Sequence, residues 1–170
     1  SIVMQCMSDR DEILVLTTGG TFDKIYFDAM SSFEVGQPVV SDLLEQAVVK
    51  KAYRVVEILR KDSLELTDTD RQTIRAAVLA APNDLVVITH GTDTMTDTGR
   101  VLADIPQKTI VLTGALSPAR FAETDAMFNL GMAFATVQTS APGVYITMNG
   151  TVFDATRVHK DRSRNAFIAD

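Results

Sequence analysis

Short apolar runs rich in β-branched residues alternate along this chain with longer stretches of helical period. That alternation points to an α/β fold built on a parallel sheet. The runs place strands at 12–18, 53–59, 85–89, 109–113 and 143–148, and the helical periods place helices at 41–51, 68–81, 96–104 and 124–137. Thr67-Asp68-Thr69-Asp70 has the form of a capping box and starts the second helix, which Pro82 and Asn83 stop. In the fourth helix Met127, Leu130, Met132 and Phe134 fall on roughly one face and read as core. Asn149-Gly150, between Val144-Tyr145-Ile146 and Val152-Phe153, fits a two-residue hairpin with a type I′ turn, which adds an antiparallel edge. The stretch 22–40 lacks sustained periodicity, carries Gly36 and Pro38, and reads as a mobile loop, a lid beside the first strand. The expected architecture is a doubly wound, mostly parallel sheet flanked by helices, in one domain spanning 1–170.

Charge and composition remove several function classes. The net charge is −6, and no Lys/Arg block exceeds two consecutive residues, so a basic footprint for nucleic acid or an anionic membrane is missing. The single cysteine, Cys6, excludes an intrachain disulfide and a multi-cysteine zinc site. Residues 1–10 contain no apolar secretion segment, and no stretch approaches the ~20 apolar residues of a membrane helix, so a cytoplasmic location is expected. His90 and His159 are the only histidines and neither has a partner at metal-ligand spacing, so neither metal nor cofactor is expected.

Two threonine-centred clusters, Thr18-Gly19-Gly20-Thr21 and His90-Gly91-Thr92-Asp93-Thr94-Met95, each follow a buried-strand run. In an open parallel sheet, the loops at the carboxyl ends of strands line a common crevice where ligands bind. The glycines let backbone approach a ligand and expose amide N–H groups. The chain has no G-x-S-x-G elbow, no H-E-x-x-H, no G-x-G-x-x-G and no phosphate loop. Nucleophilic chemistry here would use a hydroxyl without histidine as its base, a role that lysine can fill. Plainer readings stand beside this one. The glycine pair could be a simple strand-to-loop turn or a weak phosphate cradle, and Thr92, Asp93 or Thr94 could merely cap the next helix. Tyr26 could be a core aromatic, and Lys160 lies in a mixed-charge tail whose default is a solvated face.

Thr18-Gly19-Gly20-Thr21-Phe22 and Ile88-Thr89-His90-Gly91-Thr92-Asp93-Thr94-Met95 resemble the two signature motifs of bacterial-type L-asparaginases, which are threonine amidohydrolases, in the same order and with similar separation. Lys61-Asp62-Ser63-Leu64 resembles that family's substrate-carboxylate loop. Val111-Leu112-Thr113-Gly114-Ala115 resembles its next strand and loop. Met148-Asn149-Gly150-Thr151-Val152 followed by Arg157-Val158-His159-Lys160 resembles the segment that delivers its lysine.

The resemblance implies an L-asparagine amidohydrolase giving L-aspartate and ammonia through an acyl-threonine intermediate. The alternatives are a broader asparaginase–glutaminase and a non-catalytic amino-acid-binding regulatory module. By resemblance, Thr21 is the nucleophile and Tyr26 its activating or orienting partner, while Thr92, Asp93 and Lys160 form a second, buried group. Asp62 and Ser63 hold the α-carboxylate, Asp93 binds the α-ammonium, Gly20 borders the substrate, and the N–H groups of Thr92 and Ala115 stabilise the oxyanion. His90 and His159 are read as structural. Typical members are roughly twice as long, with a smaller C-terminal domain that supplies an acidic residue to a neighbouring subunit's site. The tail from Asp161 to Asp170 reads as a polar helical end, which fits a natural short form lacking that domain. A homodimer or dimer of dimers, built partly from 143–160, is expected to cover the crevice.

Overall fold

In the computed structural model, which describes residues 10–20, 39–117 and 124–170, the five apolar runs become strands. These are β1 (Ile13–Thr17), β2 (Tyr53–Glu57), β3 (Leu85–Thr89), β4 (Thr109–Thr113) and β5 (Gly143–Met148). All pair in parallel with their neighbours, and β6 (Thr151–Asp154) returns antiparallel along β5. The order is β2-β1-β3-β4-β5-β6. Helices α1 (Val39–Gln46), α2 (Asp68–Ala80), α3 (Met95–Leu102) and α4 (Ala126–Thr139) lie between successive parallel strands in the sequence.

The central strands read as continuous apolar runs because both of their faces are covered. Leu14, Leu16, Val86, Ile88, Ile110 and Leu112 pack with Ile74 and Val78 of α2 and with Met95 and Leu102 of α3. The alternate residues Ile13, Val15, Val87 and Val111 pack with Val40 and Leu44 of α1 and with Leu130, Ala133 and Phe134 of α4. The chain moves outward from β1 to β2, then crosses to the other side of β1 for β3, β4 and β5. The crevice at that change of direction lies at the carboxyl ends of β1 and β3, where the two threonine clusters leave the sheet. Thr17, Thr89, Thr113 and Thr147 form one register row there, and all four are buried.

The Asn149-Gly150 turn is as expected. Both residues have positive φ, 53° and 67°, as a type I′ turn demands. The capping box at Thr67 and Asp70 is also formed. In α4, Leu130 and Phe134 are buried, whereas Met127 and Met132 are only half-buried at its margin. The lid reading falls on 22–40, of which residues 22–38 lie outside the described residues and Val39 and Val40 begin α1.

Two expectations are corrected. The first helix stops at Gln46 rather than 51. The N–H of Val49 donates to Leu44 O and that of Val48 to Glu45 O, a Schellman ending with Val48 left-handed at φ 55°. A valine is an unusual occupant of that position, so the stop carried no sequence signal. The tail 161–170 is not a helical end. It forms the last part of an antiparallel hairpin, β7 (Val158–Asp161) and β8 (Ala166–Ala169). Val158 and Phe167 bury against the core, and the Asp161 carboxylate closes the turn by accepting from the N–H and Oγ of Ser163 at 3.0 and 2.6 Å.

Candidate active site

Four loops meet at the carboxyl edge of the sheet. Thr18 Oγ1 donates to Thr89 O at 2.8 Å, which ties the loop after β1 to the end of β3. Gly19 and Gly20 follow with φ 95° and 87°. A Cβ on Gly20 would lie 2.6 Å from Gly91 N, and one on Gly19 would lie 2.6 Å from Lys61 O. The glycine pair is therefore required twice, for its left-handed backbone and for close approach to both neighbouring loops. Ser63 is buried on a short 3₁₀ turn, Ser63–Glu65, with Asp62 at its start. Its carbonyl accepts from Thr94 Oγ1 at 2.8 Å, joining that turn to the loop after β3. On its other flank Lys61 Nζ donates to both Asp70 carboxylate oxygens, at 2.9 and 3.2 Å. The Thr67 backbone N–H, and then the Lys61 ammonium, hold the Asp70 carboxyl below the ordinary carboxylate range.

Lys160 reaches the same crevice from β7. Its Nζ donates to Thr92 Oγ1 at 2.8 Å and to Asp93 Oδ1 at 2.8 Å. The side chains of Lys160 and Asp93 are only 14% and 29% exposed, and Thr92 is buried. Strand alternation explains the direction: Lys160 stands two residues from fully buried Val158 on the same strand, so both project inward. His159, between them, faces outward and pairs with Asp170 at 2.7 Å. Thr94 occupies the N-cap position of α3, yet no side chain of the cluster caps that helix. Thr92 and Asp93 instead bond Lys160, and Thr94 bonds Ser63.

The backbone around this group is held by buried polar side chains. His90 lies within 2.7 Å of Gly91 O through Nδ1 and within 2.7 Å of Thr98 Oγ1 through Nε2. A carbonyl only accepts, so Nδ1 carries the proton and Nε2 accepts from the Thr98 hydroxyl. Burial pushes the imidazole down to about 4, with the Gly91 carbonyl opposing and the Arg71 charge adding to the fall. The ring is a neutral brace at physiological pH. On the far side, the Asp125 carboxylate accepts from the N–H groups of Leu116 and Ser117 at 2.9–3.0 Å. Asn129 Nδ2 donates to Gly114 O and to Asp125 Oδ2, both at 2.9 Å. These bonds fix the loop carrying Ala115, which is 1% exposed. Among the described residues, none accepts a hydrogen bond from the N–H of Thr92 or Ala115.

Gly20, Asp62, Ser63, Thr92, Asp93, Ala115 and Lys160 thus all stand on the loops and strand around one crevice. Thr21 and Tyr26 lie outside the described residues. Asp125, Asn129 and Arg162 are not among the residues that the sequence motifs single out. The first two were detectable as a polar i, i+4 pair at the start of an otherwise apolar helix face. Arg162, whose Nε lies 3.5 Å from Asp93 Oδ1, left no signal within a mixed-charge tail.

The sequence pattern of the family described as Asparaginase, N-terminal, matches residues 12–168. The L-asparaginase of Thermococcus kodakarensis is 33% identical over 170 residues, 92% of this chain and 50% of that protein. The glutaminase-asparaginase of Acinetobacter glutaminasificans is 28% identical, over 89% of this chain and 50% of its own length. The solved structure of the thermostable L-asparaginase from Thermococcus kodakarensis superposes with a TM-score of 0.77 over 93% of this chain and 51% of that one, at 31% identity. The chain spans about half the length of the relatives it matches. With the two threonine motifs converging on one crevice and the match running through nearly every described element, the chain belongs to the asparaginase family and corresponds to its N-terminal domain.

Proposed function

We propose that this chain carries the catalytic centre of an L-asparagine amidohydrolase that releases L-aspartate and ammonia. The observation that carries this reading is Lys160 Nζ at 2.8 Å from both Thr92 Oγ1 and Asp93 Oδ1, across 68 and 67 residues of sequence. In this reading the Thr21 hydroxyl, activated or oriented by Tyr26, attacks the side-chain amide carbon, and its proton passes on to the amide nitrogen. The amide C–N bond breaks, ammonia leaves with a proton, and water hydrolyses the acyl-threonine ester. Lys160, held by Asp93, exchanges protons with the Thr92 hydroxyl, and the Thr92 and Ala115 N–H groups stabilise the developing oxyanion. Asp62 and Ser63 receive the α-carboxylate and Asp93 the α-ammonium, with Gly20 bordering the substrate. Such positioning accounts for much of an enzyme's rate. No metal or cofactor has a part in the scheme, and a cytoplasmic setting fits it.

The similarity to a glutaminase-asparaginase keeps L-glutamine as an alternative substrate, because one methylene shifts discrimination by only ~1–3 kcal/mol. A second reading is a binding module that holds the amino acid in the same pocket without turnover. Ammonia release from L-asparagine and L-glutamine at matched concentrations, in the unmodified protein and in Thr21→Ala, separates these readings. Amidohydrolase chemistry requires release that Thr21→Ala abolishes while ligand binding persists; binding without ammonia in the unmodified protein supports the module. A homodimer or dimer of dimers using the β6 edge would cover the crevice, and specific activity should then fall on dilution.

A further inference from the structure

Asp93 faces two cations of its own chain through one oxygen. Lys160 Nζ is 2.8 Å from Oδ1 and Arg162 Nε is 3.5 Å from the same atom. The two cations differ in placement. Lys160 is buried to 14% exposure and is shared with Thr92, whereas Arg162 is 66% exposed and approaches from the turn between β7 and β8. That turn is braced from below. Asp161 Oδ1 accepts from Ser163 N, Ser163 Oγ and Arg164 N, Asn165 N donates to Arg162 O, and Asn165 is left-handed at φ 50°. Arg162 is thus presented by a fixed backbone, and Asp93 is the acid that its guanidinium meets. The charges around it are Asp93, Lys160, Asp161 and Arg164, the last paired with Asp161 at 3.5 Å.

One carboxylate between two cations leaves a local excess of one positive charge on the solvent side of Asp93. We infer that Arg162 is a specificity-determining residue, an internal competitor for the cation side of Asp93 that disfavours ligands bearing an α-ammonium relative to the same ligands without one. This rests on the proposed role of Asp93 as the ammonium anchor. A ligand ammonium must displace a guanidinium already there and then sit beside it, whereas a desamino ligand of the same length meets neither cost. An exposed ion pair is worth little, so the effect is a few-fold rather than absolute.

The test is titration calorimetry with L-aspartate and with succinate, which differ only in the α-ammonium, on the unmodified protein, Arg162→Gln and Arg162→Lys. The Kd ratio of L-aspartate to succinate should fall about two- to fivefold in Arg162→Gln, the worth of one exposed pair. It should stay near the unmodified value in Arg162→Lys, which keeps the charge. An unchanged ratio in Arg162→Gln, with both ligands bound, overturns the competitor role and leaves the proposed amidohydrolase intact. Ammonia-release assays run in parallel distinguish the converse: a shifted ratio without turnover supports the inference while the hydrolase reading fails. If neither ligand binds any of the proteins, the inference is overturned together with the ammonium-anchor role.

Discussion

Gly91 and Ser63 are in such close contact that a Cβ on residue 91 would lie 2.4 Å from the Ser63 Cβ and 2.6 Å from its Oγ. Ser63 is buried and its backbone N is also only 3.1 Å away, so rotating one hydroxyl does not relieve the clash. Gly91→Ala should push the 62–63 turn away from the loop after β3. We expect KM for L-asparagine to rise at least about tenfold and stability to fall by about 1–3 kcal/mol, the usual cost of overpacking. Steady-state kinetics with denaturant unfolding checks both, and an unchanged KM would detach the turn from substrate binding.

Lys160→Met keeps the apolar stem and deletes the ammonium shared by Thr92 and Asp93. Ammonia release should fall by about 10²–10⁴, the range for losing a proton-transfer group. The pair is neither deeply buried nor free in solvent, so a stability loss of about 1–2 kcal/mol is expected, between the two limits. A rate at saturating L-asparagine that matches the unmodified protein returns Lys160 to a purely structural role.

His90 makes stability depend on pH. Its folded value, about 4, lies below the ordinary 6.5. Between those values the unfolded chain binds a proton that the folded one refuses, so stability is fully present above 6.5 and is lost as pH falls toward 4. The loss reaches about 3 kcal/mol at most by pH 4. Asp70, Asp154 and Asp161, all held below the usual carboxylate range, withdraw their contributions only at lower pH. Urea unfolding at pH 7, 5.5 and 4.5 should show the decline, and His90→Gln should flatten it. Equal slopes in the two proteins would assign the pH dependence to other groups.

Val48 closes α1 in a left-handed conformation while 65% exposed. A β-branched residue there costs about 1–2 kcal/mol relative to an ordinary conformation, and glycine avoids most of it at an entropic cost of its own. Val48→Gly should therefore raise stability by about 0.5–1 kcal/mol, read as a higher denaturant midpoint at unchanged slope.

What the sequence disclosed follows from periodicity. The bounds of Leu85–Thr89 and Thr109–Thr113 are legible because strands covered on both faces read as unbroken apolar runs. Asn149-Gly150 named its own turn, since few residue pairs tolerate two positive φ angles. Val48 could not announce a helix stop because its conformation opposes its own preference. The tail misled because Val158 and Phe167, the apolar residues that bury its hairpin, are outnumbered by charges whose job is to close a turn. Thr92, Asp93 and Lys160 were named through motif resemblance, and only the inward alternation of Val158 and Lys160 explains physically why a lysine from a charged tail points into the site.

The hairpin that carries Lys160 is a two-stranded sheet of its own, separate from the six-stranded one. Its attachments include the buried side chains of Val158 and Phe167 and one bond from Phe167 N to Asn149 Oδ1 at 2.7 Å. Two strands alone are marginal in water, and such units open at a free energy below that of the whole fold. The lysine can therefore leave Thr92 and Asp93 while β1, β3 and β4 remain fully paired. Under the proposed function, inactivation on warming should then follow the opening of one hairpin. In hydrogen exchange, the amides of β7 and β8 should lose protection together with activity, well before those of the central strands.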